Sequence, residues 1–459
     1  MQPYTTIMIR YTRIFITVLL AFIAFGVKAQ STATTSSPYS QYGLGDIYPS
    51  ILPQTAAMGG IATAINKINL YNNINPLNPA SYGAIQFTTI DAGIYTNIQT
   101  LSQYNASGQT VKVNNSNFRF SHLAFAIPVT KRSALSFGLL PYSQMGYNYK
   151  KTYVRNGSPN SSTSVDTTIN NIYSGDGGLS KAYLGYGFGI GKHLLIGANA
   201  SYIFGNLQQF SSTELPDLYG ALNSRDERNN AVGGFNYDYG AQYSFDFGES
   251  ATKHLVLGYS AAANSKINST LTHIVSQYTF DASGVANVAA DSLQNTQSAK
   301  TKIQLPQINH FGISFQNDGH FLVGADYTMG HWSSLAIDGV NQGFQDSKTI
   351  NVGGQFTPDI NSLHNYFART DYRLGFMYDE SYLNLYNTSI KSYAVTFGFG
   401  FPLAPGAGGT SFYKVNFAAE IGQRGTLNTV ANPLVKENYV TLHLSFTLND
   451  RWFQKFKFE

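Results

Sequence analysis

Cysteine is absent from the 459 residues, which excludes disulfides, thiolate metal sites, a cysteine nucleophile and a lipid-modified cysteine. Charge is scarce: Asp, Glu, Lys and Arg make up 12% of the chain, about half the ~25% usual in soluble proteins. Long apolar runs are missing as well. Beyond the first thirty residues no segment reaches the ~18 consecutive apolar residues of a membrane helix. No basic tract suits a nucleic acid, and the formal charge is only +4. No H-E-x-x-H, G-x-S-x-G or carboxylate pair marks a catalytic centre, and the nine His are scattered. No metal, cofactor or catalytic residue is therefore expected.

The N-terminus has the form of an export signal. Arg10 and Arg13 precede an apolar stretch from Ile14 to Val27, and Val27-Lys28-Ala29 offers small residues for cleavage after Ala29. An uncleaved anchor is the alternative, disfavoured because the stretch is short for a bilayer. Aromatics are abundant, 14% of the chain, and so is glycine.

The pattern of those aromatics has period two, which places alternate side chains on opposite faces of a strand. From Phe235 to Phe247 one face carries Phe235, Tyr237, Tyr239, Ala241, Tyr243, Phe245 and Phe247, and the other carries Asn236, Asp238, Gly240, Gln242, Ser244 and Asp246. That run exceeds the ~5–6 residues of an ordinary strand and has the length of a tilted membrane strand. Similar alternation marks Val440 to Leu448, Tyr393 to Phe401 and Asp371 to Tyr378. About fourteen such runs are expected, near 86–100, 115–129, 133–149, 180–191, 193–210, 232–248, 253–270, 300–316, 319–333, 346–357, 368–380, 388–402, 410–424 and 436–448. Tight connections at Lys131-Arg132 and Gly191-Lys192 alternate with longer ones such as Lys151 to Leu179, although Pro358 and Pro405 stand in longer connections than a periplasmic turn needs. Trp452, Phe453, Phe456 and Phe458 interleave with cations as at a membrane interface. The expectation is an all-β protein: a transmembrane antiparallel β-barrel of about 14 strands in the outer membrane of a Gram-negative cell. Residues 1–29 form the signal peptide, 30–85 an N-terminal hatch or plug segment, and 86–459 the barrel.

Several short stretches, spread over nearly the whole mature chain, resemble the FadL-like outer-membrane transporter family, in particular its divergent Bacteroidota members. They include Ser37-Pro38-Tyr39-Ser40, Tyr42-Gly43-Leu44-Gly45-Asp46, Ala57-Met58-Gly59-Gly60, Asn78-Pro79-Ala80, Gly324-Ala325-Asp326-Tyr327, Tyr372-Arg373-Leu374-Gly375-Phe376 and Gly422-Gln423-Arg424-Gly425. The resemblance implies fourteen strands and an inward-folded hatch, to which Gly59, Gly60, Asn78, Pro79 and Ala80 would belong. The residues agree, since Ile47, Ile51, Leu52, Met58, Ile61 and Ile65 are more apolar than a solvated tail, the alternative for this segment.

Within the barrel, Gly185, Gly187, Gly189 and Gly191 recur on one face, where they allow either close approach of the hatch or a bulge. Alternation turns Asp91, Asp238, Asp246, Asp326, Asp371 and Glu420 inward, with the cations Arg369, Arg373, Lys414 and Arg424. These cross-link a polar interior or, for the cations, hold the carboxylate or phosphate of a ligand. Passive uptake of a hydrophobic or amphipathic small molecule through a hatch-gated lumen is the first expectation. The alternative is an accessory barrel in an outer-membrane secretion or assembly complex, a PorV-like role with a protein partner. A lipid-processing enzyme at the rim ranks last. Membrane lipid is the expected surrounding, and nucleic acid is not a partner.

Overall fold

The computed structural model describes residues 37–68, 71–105, 107–155, 167–218, 220–248, 252–281, 285–287, 291–403 and 411–451. The leader over 1–29 and the interleaved aromatics after Arg451 lie outside the described residues. Fourteen antiparallel strands close into a barrel. They are β1 (Thr88–Tyr104), β2 (Thr110–Thr130), β3 (Ser133–Arg155), β4 (Thr167–Ile190), β5 (Leu194–Glu214) and β6 (Asn223–Phe247). Next comes β7, in two pieces (Lys253–Ala262 and Lys266–Tyr278), and β8, in three (Asp291–Gln297, Thr301–Gln304 and Ile308–Asn317). The rest are β9 (Phe321–Gly330), β10 (Ser347–Phe356), β11 (Asp371–Leu385), β12 (Thr388–Pro402), β13 (Phe412–Arg424) and β14 (Lys436–Asp450). The ring closes where β14 pairs with β1, Lys436 facing Ser102 and Asp450 facing Thr88.

The alternation sorts side chains as the sequence indicates. Phe235 and Tyr237 are 59% and 55% exposed on the outer face, whereas Asn236 and Asp238 between them are 4% and 7% exposed. In water this would be an inverted protein; in a bilayer the aromatic face is the solvated one. Several strands run well past the expected spans. β4 begins at Thr167, so most of the supposed long loop after Lys151 is strand. β11 and β12 meet in a two-residue turn at Tyr386 and Asn387, both with φ near +55° (51° and 58°), the mirror-image geometry that suits a twisted hairpin. Loop asymmetry is therefore broken there on the long-loop, extracellular side.

The described part of the N-terminal segment, called the hatch below, lies inside the ring of strands. It starts in the extracellular half, where Ser37 N–H donates to Gly146 O on β3. It then descends through a short bridge of Asp46–Ile47 to Gln144 and Ser143, a four-residue helix at Pro53–Ala56 and a 3-10 turn at Pro79–Ala84, to β1 at the periplasmic end. Asn78 caps that last turn, its side-chain oxygen accepting from Ala80 N–H. One apolar cluster in the extracellular half gathers Tyr39 and Leu44 with Tyr147, Leu179, Ile203, Trp332 and Leu335. Lower clusters join Leu52, Ile74, Tyr82 and Ile85 to Leu140 and Tyr183, and Met58, Ile61 and Ile65 to Leu322.

The small inward residues of the wall explain how a polypeptide fits so closely inside. A Cβ at Gly187 or Gly197 would lie 2.4 Å from the Pro79 carbonyl oxygen, and one at Gly185 would meet Tyr82 at 2.8 Å. Close approach to the hatch, rather than a bulge, is the use made of Gly185 and Gly187. Gly189 instead meets Arg132, and Gly191 is a turn residue with φ of +59°.

Candidate functional site: a chamber beside an opening in the wall

Among the described residues, β2 and β3 part from one another over much of their length. β2 and β3 pair only from Leu123–Leu139 to Thr130–Ser133, at their periplasmic ends. Above that, β2 continues to pair with β1 up to Tyr104–Thr110, and β3 with β4 up to Arg155–Thr167. The two strands part where β3 carries Pro141 and an irregularity at Tyr142, a residue pair that suits a bend and not a continuous ladder. Part of the freed edge of β3 is taken up by the hatch: Asp46 and Ile47 pair with it, and Tyr48 N–H donates to Tyr142 O. The extracellular half of β2 has no such substitute among the described residues.

Between the upper and lower apolar layers lies a chamber of about 480 Å³, within the range of small-molecule pockets. Ile47, Tyr48, Pro49 and Ile51 of the hatch line it, and Ser121, Leu140, Pro141 and Tyr142 bring its wall to both margins of the opening. A ring ladder crosses the chamber side of β1: Tyr48 and Tyr95 lie 6.1 Å apart, and Tyr95 stacks on His443 at 5.6 Å. Burial pushes the Tyr48 hydroxyl well above its usual range, so it stays a neutral donor, here to Gln144 Oε1 at 3.1 Å.

The floor of the chamber is the hatch, and polar side chains of the wall hold it. Asp326 accepts both Ala62 and Thr63 N–H at 2.7 Å. Thr396 Oγ1 accepts from Gly59 N–H at 2.7 Å and donates to Ala57 O at 3.1 Å. Ser314 and Gln242 donate to Ala64 O and Thr63 O at 2.7 and 2.9 Å. Asn78 donates to Thr63 O within the hatch at 2.7 Å and to Tyr259 O on β7 at 3.3 Å, while Asn199 donates to Pro76 O at 3.1 Å. Gly59 and Gly60 adopt φ of +72° and +84°, and a Cβ at Gly60 would meet Asn351 at 2.9 Å. Gly59 and Gly60 thus lie against β10 and β11, and Asn78, Pro79 and Ala80 against β4, β5 and β7, a different part of the wall.

The inward cations are distributed differently from the expectation. Arg373 donates to Gln355, Asn416 and Asp371 at 2.7, 2.9 and 3.0 Å, and Lys414 donates to the same Asp371 oxygen at 2.6 Å. Arg424 lines the chamber but holds Asp46 of the hatch at 2.7 Å, with Glu437 at 4.0 Å. Lys181, not singled out from the sequence, pairs with Asp238 at 3.0 Å. Arg369 does not face the lumen from a strand: it ends a 3-10 turn, Phe367–Arg369, before β11, with its guanidinium 5.7 Å above the Tyr366 ring. The alternation that turned it inward begins only at Asp371. Asp246 likewise sits at the periplasmic rim, bonded to His254 at 2.6 Å. Near the floor, Asp91 accepts from Gln54 and Thr447 and contacts His122 Nε2 at 2.6 Å, joining hatch and wall.

Arg119 was not among the candidates. It faces inward on the open part of β2 as the register partner of Tyr95, and its Nε and Nη2 are buried without a partner among the described residues.

A family model for BamG, an outer-membrane barrel family, matches residues 8–459 of this chain. No curated protein matches. Solved structures with a similar fold include a Pseudomonas aeruginosa FadL homologue, 14% identical with a TM-score of 0.54, covering 89% of this chain and 100% of that one. The P. putida toluene transporter TodX is 13% identical with a TM-score of 0.53, covering 90% and 100%. The Ralstonia pickettii toluene transporter TbuX is 15% identical with a TM-score of 0.51, covering 88% and 99%. These likenesses fix the architecture as that of a FadL-type barrel.

Proposed function

The chain belongs to the BamG family of outer-membrane barrels, and we propose, from its chamber and the opening beside it, that it takes up hydrophobic or amphipathic small molecules passively through its lumen. The hatch gates the periplasmic side, and the opening between β2 and β3 is a sideways route between chamber and membrane. One observation carries this reading: the chamber wall includes both margins of the opening, Ser121 on one side and Leu140 to Tyr142 on the other. Neutral rings such as the toluene named for TodX and TbuX suit the Tyr48–Tyr95–His443 ladder, since aromatic faces stack without needing a charge. Arg373, Lys414, Arg424 and Lys181, already paired with carboxylates, make the lumen a poor general anion channel.

Reconstituted protein should accelerate entry of radiolabelled toluene or dodecanol into liposomes, and Leu140→Trp, which fills the mouth, should slow it. Wild-type rates equal to protein-free liposomes would sink the reading. A second reading, an accessory barrel in an outer-membrane assembly or secretion complex, is favoured by how thoroughly the wall side chains anchor the hatch. It predicts a stable protein partner in native mass spectrometry of gently solubilised material, and no bound amphiphile.

A further inference from the structure

We propose that Arg119 is a binding residue for the anionic headgroup, phosphate or carboxylate, of an amphiphile that enters the chamber between β2 and β3. The inference rests on the uptake reading above and names the chemistry recognised at its mouth.

Three observations place the site. First, Arg119 lies opposite Tyr95 on β1, while on its other side β3 has already departed, since pairing with β2 stops at Leu123–Leu139. Second, its Nε and Nη2 are buried yet bond to no described residue. Arg119 as a whole is only partly buried, but a buried guanidinium nitrogen left without an acceptor is costly, and a wall position with an open side lets a mobile anion remove that cost. Third, the neighbouring charges are already matched: Asp46, which with Arg119 acts on the Tyr48 hydroxyl, is held by Arg424, and Lys181 is held by Asp238.

The surroundings favour an amphiphile over a bare ion. Phe118 and Phe120, either side of Arg119 in sequence, point outward and are 67% and 48% exposed at the lipid surface. Tyr95 lies inward, beside the chamber. A headgroup on the guanidinium therefore has an apolar environment available both in the chamber and in the bilayer. The planar fork of Arg suits a phosphate or carboxylate in two-point contact, which Lys meets only as a point charge.

The test uses the full chain in nanodiscs, with empty nanodiscs as background, and three probes: dodecyl phosphate, dodecanol and inorganic phosphate. Arg119→Gln should weaken dodecyl phosphate by about tenfold or more, leave dodecanol unchanged, and be partly rescued by Arg119→Lys. If membrane lipid is the natural source, phosphatidylglycerol nanodiscs should suppress dodecyl phosphate binding in wild type but not in Arg119→Gln. If free anions are the source, inorganic phosphate should compete instead. Equal dodecyl phosphate affinity in wild type and Arg119→Gln overturns the headgroup site while dodecanol binding leaves the chamber reading standing. Failure of wild type to bind either amphiphile overturns both. Unchanged dodecanol binding also shows that the variant is folded.

Discussion

The Oδ2 of Asp326, on the barrel wall, accepts the backbone N–H of Ala62, in the hatch, at 2.7 Å. The same oxygen accepts Thr63 N–H at the same distance, so one carboxylate satisfies two buried donors. Asp326→Ala should strand both, at about 1–3 kcal/mol each, whereas Asp326→Asn keeps a carbonyl acceptor and loses less. The unfolding midpoint on heating in detergent should fall in the order wild type, Asn, Ala. Limited proteolysis should cut the hatch of the Ala variant first. Equal midpoints for all three would mean that Asp326 does not hold the hatch.

Gly197 gives a steric counterpart. Its missing Cβ would stand 2.4 Å from Pro79 O and 2.9 Å from Ala80 N, backbone atoms that cannot rotate away. Gly197→Val should therefore push the Pro79–Ala84 turn off the wall without breaking the β5 ladder. Ser81, fully buried in that turn, becomes a reporter as Ser81→Cys because the chain has no other cysteine. Maleimide should label Ser81→Cys slowly alone and rapidly alongside Gly197→Val. Equal labelling would sink the close-packing account of the glycine face.

Period two made the lipid-facing strands legible from sequence, as the exposure contrast between Phe235 and Asn236 illustrates. Where a strand leaves the bilayer that contrast fades, because both faces meet water. Hence Thr167 to Leu179 read as loop although it continues β4. The break between β2 and β3 was illegible for another reason. Pro141 hints at a bend, but losing a neighbour is a property of two strands and of the hatch residues that replace one of them. Arg119 gains its interest from that loss alone. Arg373 and Lys414 both turn inward, and Arg373 shares a face of β11 with Asp371 at a spacing of two, but Lys414 reaches the same carboxylate from β13, and no spacing encodes that.

That convergence predicts an asymmetry. Asp371 is 1% exposed and receives both Arg373 and Lys414. Asp371→Asn leaves two buried cations short of their counter-charge and should cost about 3–5 kcal/mol. Lys414→Gln removes one of two cations around a carboxylate that Arg373 still matches, and should cost less. Denaturant unfolding should rank the variants in that order, with dodecanol binding unchanged in Lys414→Gln. A larger loss for Lys414→Gln than for Asp371→Asn would contradict the pairing.

The freed edge of β2 predicts a pattern of amide exchange. Between Thr110 and His122 its ladder bonds run to β1 alone, so the N–H groups alternate between those bonded to β1 and those facing the opening. From Leu123 to Ala126 the strand has β1 on one side and β3 on the other, and amides of both orientations are bonded, apart from local irregularities. Hydrogen exchange in nanodiscs should then show full protection from Leu123 to Ala126. Fast exchange should appear at alternate positions in the extracellular part, wherever water reaches the opening. An acyl chain in the opening would slow exchange by excluding water but would add no backbone bonds, so protection should fall when lipid is stripped. Uniform protection that survives stripping would instead mean that a further strand or a protein partner completes the wall, and the opening would not be a route for small molecules.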